Sequence, residues 1–169
     1  AGANRFIKRA WSIVWQLSEG AQAGDFDYSK LEGQAAELFR TLNGLGARCT
    51  ADYDRGQFNT AISAVMEIVN AASKYLIETP ADERNHELDY RVAHDVVAIL
   101  APICPHWAEE LYHEALHLKG SVYNEPWPEF DVELSRADTV EIAVQVMGKV
   151  RVRVNVAADA SREDLEKAA

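Results

Sequence analysis

The chain has 169 residues, and 17 Lys and Arg against 27 Asp and Glu give it a formal net charge of −10. Hydrophobic residues make up 48% and charged residues 26%, a balance that indicates a globular protein and excludes wholesale disorder. The acidic balance argues against a uniformly basic nucleic-acid binder. The longest mostly apolar run, residues 96–104, is too short to span a membrane, and the first residues lack the apolar core of a signal peptide.

Helical spacing of apolar residues comes first along the chain. It predicts five helices, over residues 4–19, 28–54, 57–78, 86–100 and 106–119. Gly44 and Gly46 interrupt the second pattern, and each costs about 1 kcal/mol relative to Ala in a helix interior. Pro102 and Pro105 separate the fourth helix from the fifth.

The pattern changes after Gly120. Residues 121–138 contain two prolines and no helical period, which predicts an extended connector. Apolar residues then alternate with polar ones over residues 139–146 and 150–156, on either side of a Gly-containing turn, as in a β-hairpin. A short closing helix is predicted from Ser161, which precedes an acidic residue by three positions as in a capping box.

The alternation also favours one register of the hairpin. A two-residue turn would pair Val146 with Arg151 and mix Val with charged residues on one face. A three-residue or bulged turn pairs Val146 with Val150 and Val144 with Val152, so that one face carries only Val and Ile. We favour this second register.

These patterns predict a mainly α fold. A five-helix bundle covers residues 1–120, a connector covers 121–138, and residues 139–169 begin a truncated α/β domain. Helical periodicity near both ends and the absence of an initiator Met are typical of a piece of a longer protein. Because an isolated hairpin is marginal in water, its apolar face must be covered, either by the bundle or by a second copy of the chain.

One motif matches a metalloprotease pattern. His113-Glu114-Ala115-Leu116-His117 has the letters HExxH, which on a helix place two imidazoles one turn apart with a Glu between them, as in zinc hydrolases. The motif stands at the end of the fifth predicted helix, and no His follows it to supply a third ligand. We therefore favour a chance match and expect no metal site.

The cysteines indicate no chemistry either. Cys49 and Cys104 do not have the spacing of a metal clip or a disulfide framework, which favours a reducing, cytoplasmic setting. Cys104-Pro105-His106 could pair a nucleophile with a base, but adjacent side chains seldom face each other, so a packed thiol is favoured. No Gly-rich phosphate loop follows a strand. We expect no catalytic residue in this chain.

Basic residues are concentrated in the first helix and in the hairpin. The six are Arg5, Lys8, Arg9, Lys149, Arg151 and Arg153. Without these six cations, the whole-chain charge of −10 becomes −16. Their spacing is compatible with an anion-binding surface and equally with ordinary solvated faces. Trp11 and Trp15 in the first helix are more typical of a core or an interface than of a platform for nucleobases.

Five segments of the sequence stand out together. They are GANRFIKRAW, FNTAISAVMEIVNAASKY, LAPICPHWAEELY, NEPWPEFD and VEIAVQVMGKVRVRVNV. In this order they resemble the C-terminal part of bacterial leucyl-tRNA synthetases, and the match covers almost the whole chain. The NEPWP connector before a VQV-x-GK-x-R hairpin favours the leucyl enzymes over their valyl, isoleucyl and methionyl relatives.

The resemblance implies the anticodon-binding helical bundle of a class I synthetase, followed by the opening of its small C-terminal domain. The parent enzyme attaches leucine to leucine tRNA with ATP and Mg²⁺ and edits mischarged tRNA. HIGH-like and KMSKS-like motifs are absent from this sequence, so we expect the fragment to bind leucine tRNA without a cofactor or catalysis. The parent is expected to be a cytoplasmic monomer with no membrane contact, and self-association of the fragment through the hairpin is one of the two ways in which its apolar face could be covered.

The same resemblance selects candidates for RNA contact. They are Arg5, Lys8, Arg9, Arg48, Lys149, Arg151 and Arg153. The first three match an RFxxR-type start, and the hairpin cations match or extend its GK-x-R. In the segment before the FNTAI helix the family usually carries several lysines, and Arg48 is the cation that this chain has there. Each is expected to position RNA through phosphate. The alternative is a helical protein-interaction module whose acidic faces bind a basic partner.

Overall fold

The structure, a computed structural model, describes residues 2–136, 139–146 and 149–157. Five helices and two strands are α1 (Gly2–Ser18), α2 (Gly33–Asp54), α3 (Phe58–Glu78), α4 (His86–Leu100), α5 (Pro105–Glu114), β1 (Thr139–Val146) and β2 (Lys149–Ala157). The chain divides into two compact units, Ala1–Ser135 and Arg136–Ala169. The helix predicted from Ser161 lies outside the described residues.

The helices of the first unit share one hydrophobic core. α2 packs along α3, and α1 contacts α3, α4 and α5. Fully buried side chains come from all five helices and include Leu17, Leu42, Ile68, Tyr75, Leu88, Ile99 and Leu111, and burying each contributes about 1.5–3 kcal/mol. The predicted mainly helical bundle is therefore confirmed. No helix in the described ranges is long and apolar enough to cross a bilayer.

The second helix begins later than predicted. Tyr28–Lys30 forms a short 3₁₀ turn, and the backbone is extended at Leu31 and Glu32 before α2 starts. Gly33 then has a φ of 53°, a left-handed conformation that Gly adopts at little cost. The prediction of one helix from residue 28 was wrong because this break follows from backbone conformation, which the spacing of apolar residues does not reveal.

The fifth helix ends five residues earlier than predicted. α5 stops at Glu114, and the N–H of Leu118 donates to the carbonyl of Tyr112 over 3.1 Å. His117 has a φ of 54°. The left-handed residue and this long-range bond turn the chain back onto the last turn of the helix. Because Gly or Asn usually supplies that conformation, His117 gave no stop signal in the sequence.

α2 continues through Gly44 and Gly46, where the two glycines left the continuity of the helix open in the sequence. The chain after α5 packs against this part of α2. A Cβ atom built on Gly46 would lie 2.5 Å from the Phe130 ring, and one built on Gly44 would lie 3.0 Å from Cβ of Ser135. The two glycines therefore lower local helix propensity but allow the later segment to approach the α2 backbone.

Hydrogen bonds hold the same segment in place. Asn43, which is buried, accepts a hydrogen bond of 3.1 Å from the N–H of Asp131. The indole N–H of Trp127 donates to Oγ1 of Thr50 over 2.9 Å. Residues 127–135, which the sequence predicted as part of an extended connector, therefore lie docked on α2 within the first compact unit.

The second unit contains β1 and β2, which pair antiparallel. Val144 lies opposite Val152, as in the register that the alternation favours. Nearer the turn, Val146 lies opposite Lys149, so the predicted pairing of Val146 with Val150 was wrong. A register shift directly after Val144 accounts for the difference, because a β-bulge places one extra residue of one strand opposite its partner.

Candidate nucleic-acid interface

One side of α1 is buried and the opposite side carries cations. The buried residues are Ala10, Ile13, Val14 and Leu17, which recur at helical spacing. Arg5, Lys8 and Arg9 are exposed. Within the described part of the chain, none of these three side chains forms an ion pair. We call these three residues the α1 cation row; the structure brings them together as the sequence predicted.

Helix stability does not account for the α1 cation row. Arg5 and Arg9 are four residues apart, and like charges at this spacing destabilise a helix by about 0.2–0.5 kcal/mol. Lys8 adds a third positive charge on an adjoining face. A bound anion would relieve this repulsion, whereas the acidic remainder of the chain would repel an anion elsewhere. The charge distribution thus favours a local contact with phosphate.

Two tryptophans of α1 lie on the same side as part of this row. Trp11 is half-buried against the core, and its ring stacks on that of Trp15 with 6.4 Å between centroids and 12° between planes. Trp107 of α5 meets Trp11 edge-on at 6.4 Å. Trp15 is 39% exposed. Trp11 therefore packs against the core, whereas Trp15 is a surface residue.

Arg48 lies on a different helix and has an acidic neighbour. Its Nε is 3.9 Å from Oδ2 of Asp52, one turn later in α2, and Asp52 is buried. About half of the Arg48 side chain is exposed. Arg48 therefore retains access to solvent but is partly neutralised by Asp52.

The hairpin cations belong to the second compact unit. Lys149 lies opposite Val146 in the strand pair, and Arg153 lies opposite Ala143. Arg151 lies between them on β2. The RNA contacts assigned to these three residues stay predictions.

The HExxH letters do not form a helical zinc motif. Because α5 ends at Glu114, His117 stands beyond the helix. Nδ1 of His113 lies 3.0 Å from the carbonyl of Leu118, and its Nε2 lies 3.5 Å from Glu109. Three His, Cys, Asp or Glu side chains do not come together anywhere in the described ranges. The two imidazoles are therefore not held one helical turn apart.

Both cysteines are free thiols. Burial, reinforced by the charge of Asp52, raises the pKa of Cys49 to about 12. Burial also raises the pKa of Cys104. A raised pKa disfavours the thiolate, which is the nucleophilic form. These environments favour packed thiols rather than a nucleophile–base pair at Cys104.

A groove of about 610 Å³ is lined mainly by aromatic and acidic side chains, unlike the side of α1 that carries the α1 cation row. Its aromatic walls are Phe26, Tyr28, Phe39, Tyr90 and Phe130. Asp25, Glu129 and Asp131 line it as well, while Arg91 binds both Asp95 and the carbonyl of Glu129. The carboxylates disfavour a phosphate backbone here. The groove was not predicted because segments far apart in the chain build it. The aromatic residues after α1 are the one local signal for it in the sequence.

Comparison with known proteins gives two kinds of match. The family model for the anticodon-binding domain of tRNA ligases matches residues 35–167. A leucine–tRNA ligase of Thermotoga maritima is 36% identical over 168 residues, which cover 98% of this chain and 20% of that protein. One of Symbiobacterium thermophilum is 42% identical over 162 residues, which cover 94% and 19%. The chain thus spans about one fifth of the length of these curated relatives.

A solved structure has the same fold. It is the agnB2 LeuRS of Agrobacterium radiobacter K84, in a ternary complex with tRNA and LeuAMS. The similarity has a TM-score of 0.70 at 23% sequence identity and covers 96% of this chain and 20% of that chain. At this identity the similarity bears on the architecture, which is that of the helical bundle described above.

Proposed function

Because the chain belongs to the family of anticodon-binding domains of tRNA ligases, we propose that it is the tRNA-binding part of a leucine–tRNA ligase. The resemblance to leucyl-tRNA synthetases that five sequence segments predicted is confirmed by its relatives. The observation that carries the proposal of RNA contact is the α1 cation row, exposed and without ion pairs among the described residues. An acidic protein-interaction module is not favoured, because the family match extends over most of the chain.

The α1 cation row would hold the RNA through its backbone. Arg5, Lys8 and Arg9 can each neutralise a phosphate, and such contacts fix position and orientation without selecting a base sequence. The acidic remainder would limit contact to a few basic surfaces. Recognition of leucine tRNA would then depend on the shape of the folded RNA more than on its base sequence.

The second compact unit is the candidate for a second contact. We infer that residues 1–120 form the bundle, that 121–138 connect it to the next domain, and that β1 and β2 open a small C-terminal α/β domain. Lys149, Arg151 and Arg153 would contact another part of the same tRNA. In the isolated chain, the Val- and Ile-rich hairpin would associate with a second copy.

The remaining four fifths of such a ligase would carry the chemistry. We infer a cytoplasmic, monomeric parent that joins leucine to its tRNA with ATP and Mg²⁺ and edits mischarged tRNA. The residues of this chain would contribute tRNA positioning, and none of them is assigned a catalytic or cofactor-binding role.

Salt-dependent binding of a leucine tRNA transcript tests the proposal. Each neutralised phosphate releases counterions, so the logarithm of the association constant falls by about 0.7–0.9 per phosphate for each tenfold rise in salt. The α1 cation row alone predicts a slope of about −2 to −3. The measurement is fluorescence anisotropy of labelled tRNA with the 169-residue chain at 50–200 mM KCl. No binding at 50 mM, or an affinity independent of salt, contradicts the proposal.

A further inference from the structure

The exposed ring of Trp15 has no role in the phosphate contacts described above. We propose that Trp15 is a stacking platform for an unpaired nucleobase of the bound RNA, beside phosphates that the α1 cation row holds. This inference rests on the proposed function and deepens it. The part of the RNA bound at α1 would have to contain at least one unpaired nucleotide, so a continuous duplex would not satisfy the site.

Contacts with other tryptophans hold the ring of Trp15 in place. Trp11 stacks nearly parallel to it, with 12° between the ring planes, and Trp107 in turn meets Trp11 edge-on at an interplanar angle of 74°. Offset-stacked and edge-on pairs of this kind are the favoured arrangements of aromatic rings. Trp15 is the outermost of the three and is 39% exposed. A ring held in this way loses little further conformational freedom when a base stacks on it.

The nearest cations are at a suitable distance along the helix. Trp15 follows Lys8 by seven residues, which is two turns, so both point to nearly the same side and lie about 10 Å apart along the axis. That distance corresponds to about three stacked nucleotides of one strand. Residues 9–14 between them include no Asp or Glu, and Ser12 among them accepts a hydrogen bond of 2.9 Å from Gln16. A strand can therefore pass from Lys8 to Trp15 without meeting a carboxylate of these intervening residues.

An acidic residue at the C-terminal end of α1 indicates where along the helix the phosphates of the bound strand would lie. Glu19, one turn beyond Trp15, is exposed and acidic, and it would repel a phosphate there. The phosphates are therefore expected on the Arg5 and Lys8 side, with the base placed over Trp15. Bases of an intact duplex are covered by their neighbours, whereas unpaired bases of loops and bulges stack on aromatic side chains. This comparison identifies the ligand class as an unpaired nucleotide.

The test compares Trp15→Ala and Trp15→Phe in the 169-residue chain. Stacking of one base is worth enough that its loss weakens binding roughly 5- to 150-fold. We expect Trp15→Ala to weaken binding of the leucine tRNA transcript within this range and Trp15→Phe to stay within about threefold of the parent. Binding of a blunt, fully paired RNA duplex should be the same for all three. Phe58→Ala is the matched control, since Phe58 is 54% exposed on another helix.

The possible results of these measurements separate this inference from the proposed function. Equal tRNA affinity of Trp15→Ala and the parent overturns this inference and leaves the proposed function standing. Failure of the parent to bind tRNA overturns the proposed function, and this inference with it. An equal loss on tRNA and on duplex overturns base stacking in favour of a structural role. If Trp15→Ala does not fold, quenching of tryptophan fluorescence by tRNA is compared between the parent and Trp15→Phe; quenching that is unchanged without Trp15 overturns the inference.

Discussion

Replacing Arg5, Lys8 and Arg9 together with Gln is expected to weaken leucine-tRNA binding about 100-fold at 50 mM KCl, and far less at 500 mM. The three cations are exposed, and none has a carboxylate partner among the described residues, so their charge is available to phosphate. Gln has a helix propensity close to that of Arg and Lys, so α1 should persist. Anisotropy titrations at several salt concentrations, with circular dichroism for helix content, measure both effects.

The matched control removes the same charge elsewhere. Lys30, Lys74 and Lys119 lie outside α1, and the first two are paired with Asp27 and Glu37. Changing these three to Gln gives the same formal charge as the α1 variant, and surface pairs of this kind contribute about 0–1 kcal/mol to stability. We expect the control to bind tRNA nearly as the parent does. Equal losses for the two triple variants would assign the effect to overall charge instead of the α1 cation row.

The Gly46→Ala variant is expected to lose about 1–3 kcal/mol of unfolding free energy, as overpacked sites do. Ala improves helix propensity by about 1 kcal/mol, so an isolated helix would be stabilised. In the folded chain, however, the new Cβ would lie 2.5 Å from the Phe130 ring. Urea unfolding followed by far-UV circular dichroism measures the difference.

The Phe130→Ala background shows whether that contact is the cause. Once the ring is removed, Gly46→Ala should become neutral or stabilising, which gives a coupling free energy of about 1–3 kcal/mol in the double-mutant cycle. Gly44→Ala is a milder control, because its Cβ would lie 3.0 Å from a single Ser135 atom. A stabilised Gly46→Ala in the parent background would show that Phe130 does not pack on α2 in this way.

Local patterns predicted the helices well where the helix ends have local causes. α4 has the predicted bounds because its apolar stripe begins directly after Asn85, whose side chain caps the N–H of Leu88 over 2.7 Å. The end of α5 was not predictable, because His117 takes a left-handed conformation that its residue type does not announce. Gly46 shows the opposite case. Its cost in helix propensity is visible in the sequence, but Phe130, whose ring packs where a Cβ of residue 46 would lie, comes much later in the chain.

The candidate interface, too, was predictable only where it depends on local helix geometry. The spacing of Arg5, Lys8 and Arg9 follows from helix geometry alone, and the structure exposes all three. The exposure of Trp15 depends on how Trp11 and α5 pack, which is a tertiary property. The family-level prediction succeeded because it rested on five collinear segments rather than on any single residue, and the mainly helical fold followed from the spacing of apolar residues.

The measurement that tests the central claim most directly is ultraviolet cross-linking of leucine tRNA to the 169-residue chain, read by mass spectrometry of the protein. If α1 holds the RNA, cross-linked peptides should include residues 5–15 and should exclude the acidic groove at Asp25 and Asp131. High salt should abolish the cross-links, since phosphate contacts are lost through counterion competition. Cross-links confined to the groove or to other helices, with none on α1, would contradict the account.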